Sequence, residues 1–279
     1  MRRVNPKVYT KTYYLTDCAG NEEFKISYGK QLDIVSRELI KRFEVNPDMD
    51  VLDIGCGRGE MVFYCASKGA KSIGIDYADA STELANFART KYSKKIQNKT
   101  KFIKMDAKKL SFPASSFDLI IMSGVVEHLY PKELDAVFNQ IKRVLKPNGK
   151  LVISTAPNKI FNNIAYKFYC YPLSSLITFF WNKLTNSKYP NIPRPQNIRT
   201  ESHLIMHINE PTFLTLRNLY KKFNFKGNLS SSNITVVKPV LSLKDSLFNF
   251  FVFLHPFSKH FPLSIVFGSD FISVLTNVK

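Results

Sequence analysis

The sequence lacks the features that would indicate a membrane-spanning, secreted or metal-stabilised protein. Its four cysteines, Cys18, Cys56, Cys65 and Cys170, stand far apart without a C-x-x-C pair, so we expect reduced thiols and neither a disulfide framework nor a zinc site. No stretch reaches the roughly 18 uninterrupted apolar residues of a spanning helix, and the first residues lack the apolar run of a secretion signal. These absences predict a cytoplasmic protein.

Acidic side chains are also scarce, above all in the second half. The chain has 40 Lys and Arg against 22 Asp and Glu, a formal net charge of +18. Residues 151–279 contain only four of those acids but 15 of the 23 Phe. A basic, Phe-rich half is typical of contact with an anionic membrane or a nucleic acid, since both present phosphates. A codon usage that favours Phe, Lys and Asn would give the same bias, and both explanations stay open.

The chain does contain an alternation of short apolar runs and amphipathic helical patterns. Hydrophobic residues make up 44% of its 279 residues, enough to bury a large core. The predicted strands are 50–54, 72–75, 102–105, 117–122 and 150–154, and the predicted helices are 30–43, 60–67, 80–92 and 132–145. Because strands separated by helices run parallel, the pattern predicts an α/β protein with a doubly wound sheet.

The same pattern divides the chain into four parts. We predict an N-terminal arm and helix in 1–45, the α/β core in 46–155, an insertion or lid in 156–208, and a C-terminal part in 209–279. In the lid, an apolar stretch over 169–181 is too short to span a bilayer but suits an interfacial helix. In the C-terminal part, we predict a helix starting at Asn209, strands at 234–237 and 271–278, and a Phe-rich insertion at 241–262.

The most informative segment is a glycine-rich turn after the first strand. Asp53, Gly55, Gly57 and Gly59 form D-x-G-x-G-x-G where the strand gives way to a helix. Glycine lets the backbone approach a ligand closely, and ligands bind at this end of the strands in doubly wound sheets. A dinucleotide fingerprint needs a third glycine at position 60, which is Glu60, and a carboxylate there repels a pyrophosphate. The spacing therefore favours S-adenosylmethionine, which carries an ammonium and a sulfonium, over NAD.

Two further acids end the next strands. Asp76 lies about 20 residues after the glycines, where a carboxylate accepts hydrogen bonds from ribose hydroxyls. Asp79 is the better candidate for capping the following helix. Asp106 ends the third strand, where it can accept a hydrogen bond from an adenine amine. Beside these positions we expect four more cofactor contacts: Cys56, Tyr77, Ala107 and Ser123.

Together, these motifs resemble those of class I S-adenosylmethionine-dependent methyltransferases, in the broad group that acts on small molecules such as quinones and sugars. The resemblance covers about 45–155 closely and includes Val126-Glu127-His128-Leu129 and the hairpin segment 145–150. It implies a seven-stranded Rossmann-like sheet in which the last two strands are the sixth and an antiparallel seventh. It also implies S-adenosylmethionine as the methyl donor and no metal.

The candidate catalytic and acceptor residues are histidines and tyrosines. His128 follows the fourth strand and titrates in the range useful for a base, with packing of the next helix as an equally weighted alternative. We predict that His207 acts at the acceptor and that His203 lies beside it, in a loop or strand, which makes metal binding by the pair improbable. The resemblance implies that an N-terminal arm closes the site, with Tyr14 and Tyr28 in contact with the substrate.

The leading hypothesis is methyl transfer to a hydroxyl or amine of a small or lipid-linked acceptor, such as a saccharide, glycolipid or quinone precursor, with peripheral contact at an anionic membrane. An RNA or DNA methyltransferase is a second hypothesis, motivated by charge alone. It is less favoured, because the fourth strand ends without the Asn/Asp-Pro-Pro-aromatic or Pro-Cys sequence used on bases. A non-catalytic partner subunit that binds S-adenosylmethionine is the third.

Overall fold

The computed structural model describes residues 4–278, and the seven strands among these residues form one mixed sheet. The strands are β1 Asp50–Ile54, β2 Lys71–Asp76, β3 Thr100–Lys104, β4 Phe117–Ser123, β5 Leu145–Thr155, β6 Phe225–Ser231 and β7 Phe271–Asn277. Their order is β3-β2-β1-β4-β5-β7-β6; β1 to β5 are parallel, and β7 is antiparallel to both of its neighbours. The predicted seven-stranded sheet with an antiparallel last strand is confirmed.

The helices cover both faces of this sheet. They are α1 Lys11–Thr16, α2 Asn21–Ser27, α3 Ile34–Leu39, α4 Glu60–Ser67, α5 Asp79–Arg89, α6 Lys94–Gln97, α7 Pro131–Val144, α8 Tyr171–Thr185, α9 Glu201–Met206, α10 Phe213–Lys222, α11 Leu243–Phe253 and α12 Ser264–Phe267. Alternate strand residues enter different cores, since side chains on a strand point to opposite faces. Leu52 packs in a cluster with α7 and α10, whereas Val51 packs in one with α3 and α4.

The predicted helix over 30–43 is shorter in the structure. Asp33 caps α3 by accepting hydrogen bonds from the backbone N–H groups of Val35 and Ser36 at 2.8 and 3.1 Å. A single 3₁₀ turn, Ile40–Arg42, follows. The cap therefore sets the start of the helix four residues after the predicted one.

The prediction of the sixth strand at 234–237 is wrong. The strand is Phe225–Ser231, whose polar sequence reflects its place at the edge of the sheet. The apolar residues 234–237 lie in a turn instead. The side chain of Asn233 holds this turn, donating to Ser258 Oγ at 2.6 Å and accepting from the Ser269 N–H at 2.8 Å.

The predicted helix start at Asn209 is also wrong. Thr212 caps α10 through a reciprocal hydrogen-bond pair with Thr215, so the helix begins after Pro211 rather than around it. The predicted apolar face is present, since Phe213, Leu216 and Tyr220 are buried. This face packs against the core that also contains α7.

The predicted lid region forms a helical layer beside the sheet. A π-helical segment, Phe161–Cys170, leads directly into α8, and both segments contact α11. Their shared core includes Phe161, Tyr166, Phe248 and Phe253. Within residues 4–278, no helix has the length and hydropathy needed to cross a membrane.

Candidate active site

The glycine-rich turn between β1 and α4 has a backbone shape that only glycine adopts easily. Gly57 has φ of +50°, and a Cβ there would face open space and meet only the Tyr14 ring, at 3.7 Å. Gly59 has φ of +90°, and a Cβ would come within 2.6 Å of the Phe102 ring. Gly57 thus opens the turn toward a cavity, whereas Gly59 lets α4 start close against its neighbours.

Asp76 at the end of β2 lies directly beside this turn. Its Oδ2 accepts hydrogen bonds from the Gly57 N–H at 3.1 Å and from the Tyr14 hydroxyl at 3.5 Å, and its Oδ1 accepts from the Ala78 N–H at 3.0 Å. Burial raises the pKa of this carboxyl group. The expectation that Asp79 caps α5 is wrong, since Asp79 is the first residue of that helix and its carboxylate pairs with Lys104 at 2.6 Å.

More buried carboxyl groups than buried cations surround the turn. Burial raises the pKa of Asp53, and the nearby Glu60 and Asp76 raise it further. Arg58 pairs with Glu60 at 2.7 Å, but burial still raises the Glu60 pKa. Such an acidic pocket fits a cationic, hydroxyl-bearing group and disfavours a pyrophosphate. The residues therefore fit S-adenosylmethionine on charge.

Arg58 has a second role that the sequence reading missed. Its guanidinium is buried and donates hydrogen bonds to the carbonyl of Tyr14 and, at 2.5 Å, to that of Ala19. It also lies 5.2 Å from the centre of the Phe24 ring. Arg58 thereby fastens the N-terminal arm, residues 4–33, across the glycine turn, and its place inside the glycine motif was the available signal.

One cavity of about 720 Å³ brings most of the predicted site together. Its volume lies within the range of small-molecule sites, roughly 300–1,000 Å³. The predicted residues that line it are Asp53, Gly55, Cys56, Gly57, Asp76, Tyr77, Asp106, Ala107, Ser123, Tyr14, His128, His203 and His207. Gly59 does not line it and instead forms the N-cap of α4.

Tyr28, predicted to contact the substrate, lies outside the cavity. Tyr28 ends α2 in a left-handed conformation, with φ of 54°, and does not line the cavity. Its ring packs edge to face on Phe24 and Phe87, with centroids 6.3 and 5.9 Å apart, and Lys91 Nζ lies 5.6 Å from the ring centre. These contacts hold Tyr28 against α5, whereas Tyr14 enters the cavity.

His128 lies in a 3₁₀ turn after β4 and is held through one ring nitrogen. Its Nδ1 lies 3.2 Å from the Met206 carbonyl oxygen and 3.0 Å from the Tyr9 hydroxyl. The carbonyl can only accept, whereas the hydroxyl can donate or accept, so the tautomer that carries its proton on Nδ1 bonds to Met206 and has a lone pair on Nε2. Burial, aided by the nearby His203 and opposed by the Met206 hydrogen bond, lowers the pKa of His128 to about 4, so the ring is neutral at pH 7.

The prediction of a loop or strand is wrong for His203 but holds for His207. His203 lies in α9, which Thr200 caps, and His207 follows the last residue of that helix. Their rings stack with centroids 4.6 Å apart. Burial lowers the pKa of His207 to about 3, with the neighbouring His128 and His203 adding to the effect. Both histidines therefore face the cavity in their neutral form.

Glu127 joins this group, although the sequence reading gave it no role beyond the family motif. It is buried, lines the cavity and accepts a hydrogen bond from Thr155 Oγ1 at 2.8 Å, and burial raises its pKa to about 7. Ligand atoms of Glu127, His128 and His207 lie within 4.8 Å of one another, a spacing compatible with a metal ion. This group does not include His203, so it differs from the His203 and His207 pair considered in the sequence, and the absence of a metal stays a prediction.

The cavity continues from the histidines to an apolar wall. Tyr166 of the π-helical segment, Ile192 and Phe253 of α11 all line it. The predicted lid and the predicted Phe-rich insertion both contribute side chains here. The cavity thus has an acidic end at the glycine turn and a less polar end beneath the lid.

Residues 52–153 match the family model described as a methyltransferase domain. This match identifies residues 52–153 as a methyltransferase domain. The chain is 32% identical over 115 residues to the sterol 4-C-methyltransferase strm-1 of Caenorhabditis elegans, covering 41% of this chain and 33% of that protein. It is 29% identical over 149 residues to the ubiquinone/menaquinone biosynthesis C-methyltransferase UbiE of Shewanella frigidimarina, covering 51% and 59%. The chain therefore spans less than two thirds of the length of these relatives.

The methyltransferase fold extends well beyond the matched segment. A crystal structure from Methanosarcina mazei, described as a S-adenosylmethionine-dependent methyltransferase, aligns over 89% of this chain and 99% of its own, with a TM-score of 0.51 and 21% sequence identity. This likeness concerns the fold. Together with the family match, it confirms the resemblance inferred from the motifs and S-adenosylmethionine as the cofactor of the family. The roles of individual residues stay predictions.

Proposed function

We propose that the protein transfers a methyl group from S-adenosylmethionine to a hydroxyl or amine of a small or lipid-linked acceptor, such as a saccharide, glycolipid or quinone precursor. The observation that carries this proposal is the continuity of one cavity. It runs from the acidic glycine turn at Asp53 and Asp76, past His128 and His207, to the apolar wall at Tyr166. A donor and an acceptor bound at its two ends would meet at the histidines.

The donor end is built to hold the cofactor rather than to react. S-Adenosylmethionine supplies an electrophilic methyl group on a sulfonium. Asp76 and Asp106 would accept hydrogen bonds from its hydroxyl and amine groups, and Asp53 would offset its positive charge. The open backbone at Gly57 leaves room for close approach. Holding donor and acceptor in line supplies much of the acceleration in such a displacement.

The acceptor end supplies a base. In the tautomer that donates from Nδ1 to the Met206 carbonyl, His128 Nε2 carries a lone pair, and burial keeps the ring neutral at pH 7. It can therefore take the proton that an acceptor hydroxyl loses. His207 would position the acceptor, and Glu127, with a pKa of about 7, lies where it can hold the released proton. The low basicity of His128 suits an acidic hydroxyl, such as a phenol.

The relatives support a small acceptor of low polarity. One is named for a sterol and the other for ubiquinone and menaquinone biosynthesis. Both are C-methyltransferases, so transfer to carbon is the main competing outcome. The apolar wall beneath the lid is consistent with such a molecule.

The test incubates the protein and methyl-labelled S-adenosylmethionine with separated lipid, small-molecule and RNA fractions. We expect label in the lipid or small-molecule fraction, absent with Asp76→Asn, and mass spectrometry with NMR then assigns the methylated atom. Label only in RNA would favour the nucleic-acid alternative. Tight cofactor binding without labelling of any fraction would favour a non-catalytic subunit. Label on carbon would replace the oxygen or nitrogen acceptor proposed here.

A further inference from the structure

The lid helix carries its apolar side chains on the outside. Within α8, the small polar residues Ser174 and Thr178 are 0% and 5% exposed, whereas Phe179 and Leu184 are 60% and 83% exposed. A helix on a water-soluble surface shows the reverse arrangement, with polar residues outward. The outer side of this helix therefore has the composition of a contact surface.

The exposed residues form a stripe along the helix. Phe168, Leu176, Phe180 and Leu184 are separated by eight, four and four residues, a spacing that places them on one face. All four are more than half exposed. The stripe begins in the π-helical segment and continues to the end of α8.

A second helix extends this surface. On α11, Leu247, Phe250 and Phe251 are exposed, and Phe250 packs near the exposed Phe257 with ring centroids 6.3 Å apart. Lys244 joins the two helices, since its Nζ lies 5.3 Å from the centre of the Trp181 ring of α8. We call this surface the lid face: the exposed apolar side chains of residues 168–184 and 247–257.

The charge around the lid face is positive. Residues 136–200 contain no Asp or Glu, and Lys167, Lys183 and Lys188 lie within or next to the stripe. One acid, Asp245, lies on α11 beside this surface. Its carboxylate accepts hydrogen bonds from the Tyr189 hydroxyl at 2.8 Å and from Ser242 Oγ at 2.7 Å. Aromatic and aliphatic side chains interspersed with lysines match an interface between hydrocarbon and anionic headgroups.

The lid face lies on the other side of the layer that covers the cavity. Tyr166 and Asn162 of the π-helical segment and Phe253 of α11 line the cavity, while the same helices present Phe168 and Phe250 to the outside. A surface bound to the lid face would therefore lie next to the apolar end of the cavity.

We propose that the lid face docks the protein onto the surface of an anionic lipid bilayer. The helices would lie in the interfacial plane, consistent with residues 4–278 containing no helix able to span. A nucleic acid would engage the lysines but leave the exposed leucines without apolar contacts. A second copy of the same face would set lysines against lysines. This inference rests on the surface alone and stands whether or not the proposed methyl transfer is correct.

The test is flotation of the protein with vesicles, in the absence of methyl donor. We expect binding to vesicles of phosphatidylcholine with phosphatidylglycerol, much weaker binding to phosphatidylcholine alone, and loss of binding in high salt. A Leu176→Ser/Phe180→Ser variant should bind about tenfold more weakly, because two inserted apolar side chains are lost. The matched control is Ile26→Ser/Ile34→Ser, which removes two equally exposed residues of α2 and α3 and should bind like the wild type.

Three results would overturn the proposal: no binding to either vesicle, equal loss in the control variant, or a wild-type dimer that the lid-face variant dissociates in sedimentation velocity. The last would identify the lid face as a contact between copies. A cooperative thermal unfolding transition like that of the wild type shows that each variant is folded. Should the apolar variant fail to fold, Lys167→Gln/Lys183→Gln replaces it, with reduced binding to the anionic vesicles expected and unchanged binding contradicting the proposal.

Discussion

His128 and His207 meet edge to face, with ring centroids 4.9 Å apart and ring planes at 83°. They reach this contact from distant parts of the chain, one after β4 and the other after α9. Each ring is partly buried, and proximity to His128 lowers the His207 pKa further. Adding a proton to one ring therefore makes protonation of the other harder, which keeps a neutral base at the cavity over a wide pH range.

Replacing His128 should separate catalysis from cofactor binding. In His128→Gln, we expect turnover to fall about 100-fold or more, the typical contribution of a positioned base, while the dissociation constant of S-adenosylhomocysteine stays within about twofold. Single-turnover kinetics and calorimetry measure the two quantities. His260→Gln changes an exposed histidine and serves as the control. Equal losses of turnover and affinity would assign His128 a structural role.

The lowered histidine pKa values predict a pH-dependent stability. Below about pH 6.5, the unfolded chain protonates His128 and His207 more readily than the folded protein, so their contribution to stability is present above that pH and falls toward pH 4 and 3. Glu127 acts oppositely, since its raised pKa favours folding as the pH falls below about 7.

Comparing wild type with His128→Gln/His207→Gln isolates the histidine contribution, because Glu127 is common to both. Between about pH 7 and pH 4, we expect the wild type to lose roughly 3–6 kcal/mol more unfolding free energy than the variant. Urea unfolding at both pH values gives this difference. An identical pH dependence in the two proteins would show that the histidines are not held neutral by the fold.

Asp76→Asn should abolish cofactor-dependent stabilisation. The variant keeps the shape of the side chain but loses the charge that accepts hydrogen bonds from hydroxyls, so we expect the rise in Tm with S-adenosylhomocysteine to disappear. Asp79→Asn changes the first residue of α5, whose side chain is 70% exposed, and should leave the rise intact. A full rise in the Asp76 variant would remove this residue from the cofactor site.

Arg58→Met should release the N-terminal arm. Losing the guanidinium leaves the carbonyls of Tyr14 and Ala19 and the carboxylate of Glu60 without a buried donor, a loss of about 3–5 kcal/mol. We expect a lower Tm and faster proteolysis within residues 10–20. Arg37→Met, at an exposed position of α3, is the control. Unchanged proteolysis of a folded Arg58 variant would show that other contacts hold the arm.

Elements that are packed into the core were predicted more accurately from the sequence than elements at the edge of the fold. The five parallel strands were predicted within a few residues at most ends, because residues such as Ile120 and Ile121 are buried on opposite faces and make each run apolar. β6 was missed because an edge strand tolerates polar residues. Helix ends were predicted less well, because they depend on capping residues such as Thr212, and a single hydroxyl group is all that marks such a cap in the sequence.

The candidate site also contains residues that the sequence predicts and residues that only the folded structure reveals. The glycine turn and the strand-end acids share local motifs, so their positions in the cavity were predictable. Tyr14 and Tyr28 belong to the same aromatic arm, and only the docking of that arm decides which of them enters the cavity. His203 and His207 were expected in a loop because a six-residue helix leaves little periodicity. Arg58 and Glu127 act through partners far away in the chain, which motif spacing does not reveal.

The placement of β7 has a consequence for biosynthesis. This strand is the last of the seven in chain order, yet it lies between β5 and β6 and pairs with both. Until residues 271–277 leave the ribosome, β5 and β6 have unpaired edges and β6 has no partner in the sheet. The nascent protein therefore exposes adhesive strand edges until β7 has been synthesised, and protection by a chaperone would matter most during that interval.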